Sequence, residues 1–304
     1  MTTRIAYFNG KFLPETDILI PYRDRSFNRG DGCFDMTRTF DGRIFRLAEH
    51  VERLFRSLRY LRIDIGLDPK EVVAISEEVV EKNEHLRAAA GDWWLAQRIS
   101  RGVDAIGDEG WEHTGPQVIV DCTPLPFSAR ARQFRDGIDV VVPSIRRIPP
   151  PMLSPRAKTH NYLNLILADK EVKSSRPDAW SVLLDENGNL CEGIGSNIFV
   201  VKEQRVFTPR EKYVLPGVSR RTVIDMAANL GILCEERDLD VYDAVTADEV
   251  FLTSTSLCIC GVRSVNGSTI GDGTVPGPVT KRLTQAYIDH VGCDFVSQYL
   301  SRLT

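Results

Sequence analysis

The residues best suited to chemistry lie between Lys158 and the helix start near Ser219. Lys158 follows a proline-rich stretch, 148–152, and precedes a segment with helical spacing. Glu192 opens a Gly/Ser/Asn turn that leads into a short β run. A lysine amine can hold a carbonyl compound as a Schiff base, and the N–H groups at a helix start can bind an anion. Taken singly, such a lysine and such a loop glutamate are most often solvated charges, so the interpretation depends on their order and spacing.

That order resembles the signature of the class IV aminotransferases, the pyridoxal 5'-phosphate (PLP) enzymes of fold type IV. The signature stretch reads Glu192-Gly-Ile-Gly-Ser-Asn197-Ile-Phe199, then Val206-Phe-Thr208, then Leu215-Pro-Gly217-Val-Ser219-Arg220. Upstream lies a segment similar to the family's Lys-x-x-Asn-Tyr, here Lys158-Thr-His-Asn161-Tyr162. The family includes branched-chain aminotransferases, D-amino acid aminotransferases, (R)-selective amine transaminases and aminodeoxychorismate lyases.

The resemblance implies a role around PLP for each matching residue. Lys158 would hold the cofactor aldehyde and move the α-proton of the substrate. Glu192 would keep the pyridine nitrogen protonated, so that the ring withdraws electrons. Tyr162 would hydrogen-bond near Lys158, and Leu215 would pack on the ring. Guanidinium groups and helix N-termini suit phosphate oxygens, and the implied phosphate ligands are Arg53, Val218, Ser219 and Thr255.

The residues expected around the substrate leave its identity open. The stretch 30–34, Gly-Asp-Gly-Cys-Phe, is more similar to aminodeoxychorismate lyases and D-amino acid enzymes, whereas 158–164 is more similar to branched-chain enzymes. Where branched-chain enzymes have Tyr-x-Arg-Pro, this chain has alanine at the arginine position, Ala96, with Arg98 two residues on and therefore on the same strand face. This shift predicts weak preference for L-branched-chain donors and activity with D-amino acids or (R)-amines. The candidate substrate residues are Arg29, Phe34, Arg38, Trp94, Arg98, Ser256 and Leu257.

The activity implied by the resemblance is ping-pong transfer of an amino group from an amino acid or primary amine to a 2-oxo acid. Three alternatives stay open: a D-amino acid or (R)-amine transaminase, an aminodeoxychorismate-type lyase, and a non-catalytic PLP-binding paralogue. The presence of both Lys158 and Glu192 argues against the paralogue. The resemblance also implies a homodimer, because in the family a second subunit helps to close the site.

Hydrophobic periodicity and turn residues predict the elements that would position these groups. Asn-Gly at 9–10 and Asp-Gly at 41–42 predict tight turns between short strands. Apolar residues spaced by three and four predict helices over about 47–61 and 69–85. Strands are expected at 93–100 and 117–122, with a glycine-rich loop at 102–115 between them. A helix is expected from Ser219, as its N-cap, to Asn229, and a last long helix over 277–291.

We expect an α/β (α+β) fold of two domains resembling fold type IV. A smaller N-terminal α/β domain would span residues 1–123, and a larger, mixed β-barrel-like domain would span 133–304. Residues 124–132, with prolines, arginines and no clear periodicity, are expected to be the interdomain linker. The resemblance implies that PLP would lie in the crevice between the domains.

The bulk composition excludes several other classes of protein. The chain has 304 residues, a formal charge of −4 and 42% hydrophobic residues, which describe a globular protein without a general affinity for nucleic acid. No apolar run approaches the roughly 20 residues that span a bilayer, so no membrane association is expected. The seven cysteines are scattered without a Cys-x-x-Cys pair, which indicates a reducing cytoplasm and no metal site.

Overall fold

The computed structural model describes residues 3–89, 91–103 and 115–303. The chain forms two compact units, one of Met1–Leu125 with Ala157–Tyr162, and one of Pro126–Arg156 with Leu163–Thr304. Each unit has its own sheet and helices, in agreement with the expected mixed α/β class. Residues 104–114, most of the loop predicted at 102–115, lie outside the described residues.

The first unit is built on a six-stranded antiparallel sheet with the strand order β2-β1-β6-β5-β3-β4. Its strands are β1 Ile5–Phe8, β2 Lys11–Pro14, β3 Gly32–Phe40, β4 Arg43–Ile44, β5 Trp93–Val103 and β6 Gly115–Pro124. Its helices are α1 Arg25–Arg29, α2 Leu47–Leu61 and α3 Pro69–Asn83, with short 3-10 turns at Glu15–Asp17 and Glu84–Leu86. The predicted helices and strands of this half of the chain are therefore confirmed.

Local sequence explains why these elements form. Asn9 and Gly10 connect β1 and β2 with φ values of 44° and 89°, the left-handed conformation that a two-residue hairpin requires. Asp68 caps α3 by accepting from the Lys70 and Glu71 N–H groups, and Pro69 occupies its first turn. The apolar face of α2 is buried as its spacing predicts, through Leu47, Val51, Leu54 and Leu58.

The second unit has a nine-stranded mixed sheet. Its strands are β7 Ile138–Val141, β8 Trp180–Leu184, β9 Leu190–Gly193, β10 Asn197–Lys202, β11 Arg205–Thr208, β12 Cys234–Glu236, β13 Glu249–Ser254, β14 Cys258–Val265 and β15 Ser268–Thr269. Its helices are α4 Phe127–Asp136, α5 Leu163–Ser175, α6 Val218–Asn229, α7 Val241–Val245, α8 Pro278–Val291 and α9 Phe295–Leu300, with a 3-10 turn at Glu211–Tyr213.

A single backbone pairing closes part of this sheet on itself. The strands follow the order β12-β11-β10-β13-β14-β7-β8-β9, and β9 returns to pair with β10 through Glu192 opposite Asn197. The expected barrel-like sheet is therefore present. The core inside it is formed by aliphatic residues of the strands, among them Val140, Val182 and Ile198.

Three details differ from the sequence-based expectations. The segment expected to be a linker, 124–132, overlaps helix α4, which runs from Phe127 to Asp136. This helix buries Phe127 and Ala131, and one pair of apolar residues four positions apart is too short a pattern to stand out in the sequence. Helix α6 is capped by Gly217 and not by Ser219, which lies in the first turn. Helix α9 is absent from the expected elements; its sequence signal is Asp294, whose side chain caps it by accepting from the Ser297 N–H.

No helix within the described ranges is long and apolar enough to cross a membrane. Those same ranges contain no cluster of three or more His, Cys, Asp or Glu residues that could hold a metal ion.

Candidate active site

The segment that carries Lys158 forms an extra strand-like edge on β3 of the first unit. The Phe34 N–H donates to the Lys158 carbonyl at 2.9 Å, and the His160 N–H donates to the Gly32 carbonyl at 2.8 Å. The Lys158 N–H donates to Ser57 Oγ of helix α2 at 3.0 Å. These bonds fix the backbone on both sides of the lysine, so the amine projects from a rigid position.

The Lys158 amine lies among aromatic side chains. Its Nζ is 3.3 Å from the Tyr162 hydroxyl and 4.5 Å from the centroid of the Phe34 ring. The Phe34 and Tyr162 rings are themselves in contact, with centroids 5.4 Å apart. Tyr162, expected near Lys158, and Phe34, one of the candidate substrate residues, thus both lie beside this amine in the first unit.

His160 completes this group, although the sequence pattern did not single it out. Its ring stacks on Phe34 at 5.5 Å, and its Nδ1 is hydrogen-bonded to Ser26 Oγ. Burial lowers the pKa of His160 to about 4, with a further contribution from the positive charge of Arg98 and a weaker opposing one from Asp24. The imidazole is therefore neutral at neutral pH.

Arg53, the expected phosphate ligand, belongs to a buried cluster in the first unit. Its guanidinium donates to Asp35 through Nε and Nη2, both at 2.8 Å, and His50 Nδ1 is 2.6 Å from the same carboxylate. Burial alone would raise the pKa of Asp35, but the charges of Arg53 and His50 outweigh it and hold that pKa well below its usual range. Burial lowers the pKa of His50 despite Asp35, and the charges of Arg53 and Lys158 lower it further.

The other cations predicted at the substrate occupy different environments. Arg38 is fully buried, forms an ion pair with Asp92 at 3.4 Å and lies against the Phe40 ring. Arg38 is therefore an interior residue of the first unit, whereas the sequence shows only that it shares a strand face with Phe34. Arg29 is exposed at the end of α1.

Arg98 and Trp94 lie on β5, on the same face as Phe34. Phe34 is directly opposite Arg98 in the register of β3 and β5, and Arg38 is opposite Trp94. Arg98 Nε donates to Asp121 Oδ2 of β6 at 2.8 Å, and its side chain keeps 41% of its surface exposed. Arg98 is therefore a half-exposed cation beside Phe34 that already has a carboxylate partner.

In the second unit, Glu192 is held by two donors. Arg147 Nε donates to its Oε1 at 2.9 Å, and the Leu215 N–H donates to its Oε2 at 2.9 Å. The carboxylate is almost fully buried, and so is the Arg147 side chain. Sequence reasoning missed Arg147, which comes from the irregular segment after β7 and has no spacing relation to Glu192.

The start of helix α6 is fixed by the turn that follows Glu192. Asn197 Nδ2 donates to the Leu215 carbonyl at 3.0 Å, and a Cβ at Gly217 would clash with Asn197 Oδ1, so only glycine fits this close approach. The N–H groups of Val218 and Ser219 belong to the first turn, whose donors have no acceptor within the helix. These donors suit an anion.

Thr255, Ser256 and Leu257 form a tight turn between β13 and β14. Thr255 is partly exposed, whereas Ser256 and Leu257 are buried. The Leu257 N–H donates to Ser254 Oγ at 3.0 Å, and the Ser256 hydroxyl accepts from Arg130 Nη1. The hydroxyl of Ser256 is thus already engaged, and Leu257 is a core residue whose contact with any ligand would run through the backbone.

Comparisons with known proteins identify the family of this chain. Residues 32–265 match the family amino-transferase class IV. A putative branched-chain-amino-acid aminotransferase of Methanocaldococcus jannaschii is 35% identical over 93% of this chain and 95% of its own length. The D-alanine aminotransferase of Bacillus licheniformis is 28% identical over 92% and 94%. The branched-chain amino acid aminotransferase of Thermobaculum terrenum, solved in its PLP form, has a TM-score of 0.82 at 25% identity, covering 99% of this chain and 98% of that chain.

The chain therefore belongs to the class IV aminotransferases. It is a PLP-dependent transaminase, and its substrates are an amino donor and a 2-oxo acid. The groups of each unit, taken by itself, suit parts of this cofactor. In the first unit, an amine among aromatic rings and a buried arginine suit the aldehyde and the phosphate. In the second unit, a buried carboxylate and an anion-accepting helix start suit the pyridine nitrogen and the phosphate.

Proposed function

We propose that Lys158 and Glu192 are the catalytic pair of this aminotransferase. The observation that carries the proposal is the rigid Lys158 amine, 3.3 Å from the Tyr162 hydroxyl and packed against Phe34. PLP, when bound, supplies an aldehyde and an electron-withdrawing ring. Lys158 would hold the aldehyde carbon through its Nζ and release that carbon to the amine of the donor. The freed Nζ would then take the proton from the α-carbon of the donor and deliver it to the former aldehyde carbon, and the second half-reaction would run the same steps in reverse with the 2-oxo acid. Tyr162 orients the amine, and Glu192 holds a proton at the pyridine nitrogen.

The proposal also assigns the groups that hold the cofactor. Leu215 would pack on the ring, while its N–H keeps Glu192 in place. The phosphate would be bound by Arg53, Val218, Ser219 and Thr255. Arg53 is bidentate to Asp35 and would keep this carboxylate partner while it binds the phosphate.

Reductive labelling tests the lysine. Borohydride treatment of the yellow holoenzyme should fix the pyridoxyl group on Lys158, and peptide mapping should locate it there. Lys158→Ala is the matched control and should lose the label while remaining folded, because it leaves the backbone bonds of residue 158 to Ser57 and Phe34 intact. A label on another lysine of the wild-type protein would overturn the assignment.

For the substrate, the first candidate is an L-amino acid with an apolar side chain. The centroid of the Phe34 ring lies 4.5 Å from the Lys158 amine, and an aromatic wall beside the amine favours an apolar donor. The relative from Methanocaldococcus jannaschii, named as a putative branched-chain enzyme, supports the same class.

The second candidate is a D-amino acid or an (R)-amine, and Arg98 favours it. Its guanidinium lies beside Phe34 on the same strand face, whereas Ala96 occupies the position of the branched-chain arginine. A carboxylate bound by Arg98 would sit displaced along the strand by about 6–7 Å, which changes the face that the donor turns to the lysine. The relative named D-alanine aminotransferase is consistent with this candidate.

Two variants on one ion pair decide whether Arg98 binds the substrate carboxylate. Arg98→Ala should raise the KM for L-leucine or D-alanine, whereas Asp121→Asn should lower it by releasing Arg98 from its present partner. (R)-1-phenylethylamine has no carboxylate and serves as the internal control, with both variants leaving its KM unchanged. Dominance of L-leucine with no effect of either variant would refute the second candidate. Formation of pyruvate from aminodeoxychorismate would instead establish the lyase alternative.

We further propose that the enzyme is a homodimer that works in a reducing compartment such as the cytoplasm. Leu19, Tyr22 and Phe27 of the first unit are large apolar side chains with 70–79% of their surface exposed, and apolar exposure of this kind marks association surfaces. Light scattering should find a dimer for the wild type and a monomer for Tyr22→Ser with Phe27→Ser. Tyr242→Ser, an equally exposed but separate tyrosine, is the control and should remain dimeric.

None of the seven cysteines forms a disulfide, in keeping with a reducing compartment.

A further inference from the structure

The turn 254–257 has a shape that needs external support. Directly after it, Cys258 adopts φ 58°, a left-handed conformation that non-glycine residues rarely take. Within the turn, the Leu257 N–H donates to Ser254 Oγ, which closes the loop tightly. Strained backbone of this kind persists only where surrounding contacts hold it. Those contacts also hold the proposed phosphate ligand Thr255, because it lies within the turn.

Two distant elements fasten the same residue of this turn. The Tyr299 hydroxyl of helix α9 donates to the Ser256 carbonyl. Arg130 Nη1 of helix α4 donates to the Ser256 hydroxyl. Ser256 is buried, and the bond from Tyr299 is buried as well, so its loss is not made good by solvent. The bond from Arg130 is partly buried.

Both donors are themselves rigidly anchored. The Tyr299 ring is fully buried and stacks on Phe134 of α4, with centroids 4.3 Å apart and an interplanar angle of 12°. It also contacts Phe127 at 4.9 Å. The Arg130 guanidinium lies over the Trp180 ring at 5.4 Å. The pairing of α4 with α9 thus delivers two fixed donors to one turn.

We propose that Tyr299 and Arg130 are positioning residues, which set the turn 254–257 in the conformation that binds the PLP phosphate and the substrate. The inference rests on the proposed assignment of Thr255, Ser256 and Leu257 to those ligands. A turn held in its binding conformation spares the ligand the cost of ordering it, so loosening the turn weakens binding more than it slows the chemical step. The C-terminal helix α9 is then part of the binding apparatus although it touches no reacting group.

The test removes one hydroxyl and keeps the ring. In Tyr299→Phe, the KM for the donor and for the acceptor should rise, and so should the Kd for PLP, measured by reconstituting the apoenzyme. The loss of one shielded hydrogen bond predicts a rise of about five- to tenfold, with kcat changed much less. Phe134→Leu loosens the Tyr299 ring but leaves its hydroxyl, so it should lower the melting temperature and raise the KM less than Tyr299→Phe does.

The matched control is Tyr287→Phe. Tyr287 is equally buried and contacts Phe295 of α9, but it lies on α8, a helix that supplies neither of the two bonds to Ser256. The proposal is overturned if Tyr299→Phe keeps the wild-type KM and Kd, or if Tyr287→Phe shows the same rise. If Tyr299→Phe fails to fold, Arg130→Lys decides by the same readouts. Absence of transamination in the wild type would refute the proposed function, whereas the Kd for PLP would still test the positioning role.

Discussion

Replacing Glu192 by Gln should disturb the protein in two separable ways. The carboxylate accepts from Arg147 Nε and from the Leu215 N–H, each at 2.9 Å. A glutamine has one acceptor oxygen and one donor nitrogen, so one of these two donors must face an NH2 group. The substitution therefore leaves a buried donor unsatisfied and also removes the charge that we assign to the pyridine nitrogen.

The structural part can be estimated from the burial of the ion pair. The Glu192 and Arg147 side chains keep only 7% and 11% of their surface exposed, so little solvent screening reduces the effect. Removing one partner of such a pair costs about 3–5 kcal/mol. The hydrogen bond from the Leu215 N–H contributes a further ~1 kcal/mol, which is lost only if the glutamine NH2 group faces that donor. We expect Glu192→Gln to lower the free energy of unfolding by about 3–4 kcal/mol.

A second substitution separates structure from chemistry. In Glu192→Gln with Arg147→Met, the unmatched guanidinium is replaced by an uncharged chain of similar shape, so about 2 kcal/mol of the loss should return. The reaction should stay at least about a hundredfold slow, equivalent to ~2.7 kcal/mol, because the carboxylate is still missing. Arg147→Met alone completes the double-mutant cycle.

The assay pairs urea unfolding at saturating PLP with stopped-flow measurement of the first half-reaction at the cofactor band. A double variant that regains both stability and the wild-type rate would show that Glu192 acts only through its contact with Arg147. A single Glu192→Gln variant as stable as the wild type would refute the energetic argument, since the buried pair would then contribute nothing measurable.

Three further predictions follow from single contacts. Gly217→Ala should lower the free energy of unfolding by about 1–3 kcal/mol, because the added Cβ would meet Asn197 Oδ1. Gly195→Ala, whose Cβ would have no atom within 4 Å, should change it by less than ~0.5 kcal/mol. Equal losses for the two variants would contradict the steric clash at Gly217. Since burial and Arg98 lower the pKa of His160 from 6.5 to about 4, the unfolded chain binds more protons between those values, and stability should fall as the pH drops from 6.5 to 4. His160→Gln should flatten that pH dependence in urea titrations, and identical slopes would count against it. Glu249→Ala should lower the free energy of unfolding by about 2–3 kcal/mol, because the buried carboxylate accepts from two N–H groups at the start of α8. Asp68→Ala, at the exposed cap of α3, should lower it by only ~1 kcal/mol. Similar losses for the two variants in thermal or urea unfolding would show that burial does not matter here.

Short-range information in the sequence was enough to predict most elements and the class of chemistry. The turn at Asn9-Gly10 requires two residues that can adopt the left-handed backbone conformation. The apolar residues of α2 recur every three or four positions. Both signals lie within a few residues of sequence, so both elements are encoded locally. The family and its cofactor were inferred from the resemblance of the stretch between Glu192 and Ser219 to the family signature, and this stretch is continuous in the sequence. The prediction of Lys158 as the reactive amine remains a proposal, and its closeness to Tyr162 was expected only from the resemblance to the family.

What the sequence left undecided depends on contacts between segments far apart in the chain. Alternation along β3 predicts that Arg38 lies on the same strand face as Phe34. Only the fold shows that Arg38 is buried there in an ion pair with Asp92. The donors to Ser256, Arg130 and Tyr299, come from helices more than a hundred residues apart in sequence order, one of them within an expected linker. The alternation of side chains along a strand determines which face of the sheet a residue lies on. Its burial and its partners depend on which other element packs against that face, and only the tertiary structure determines this.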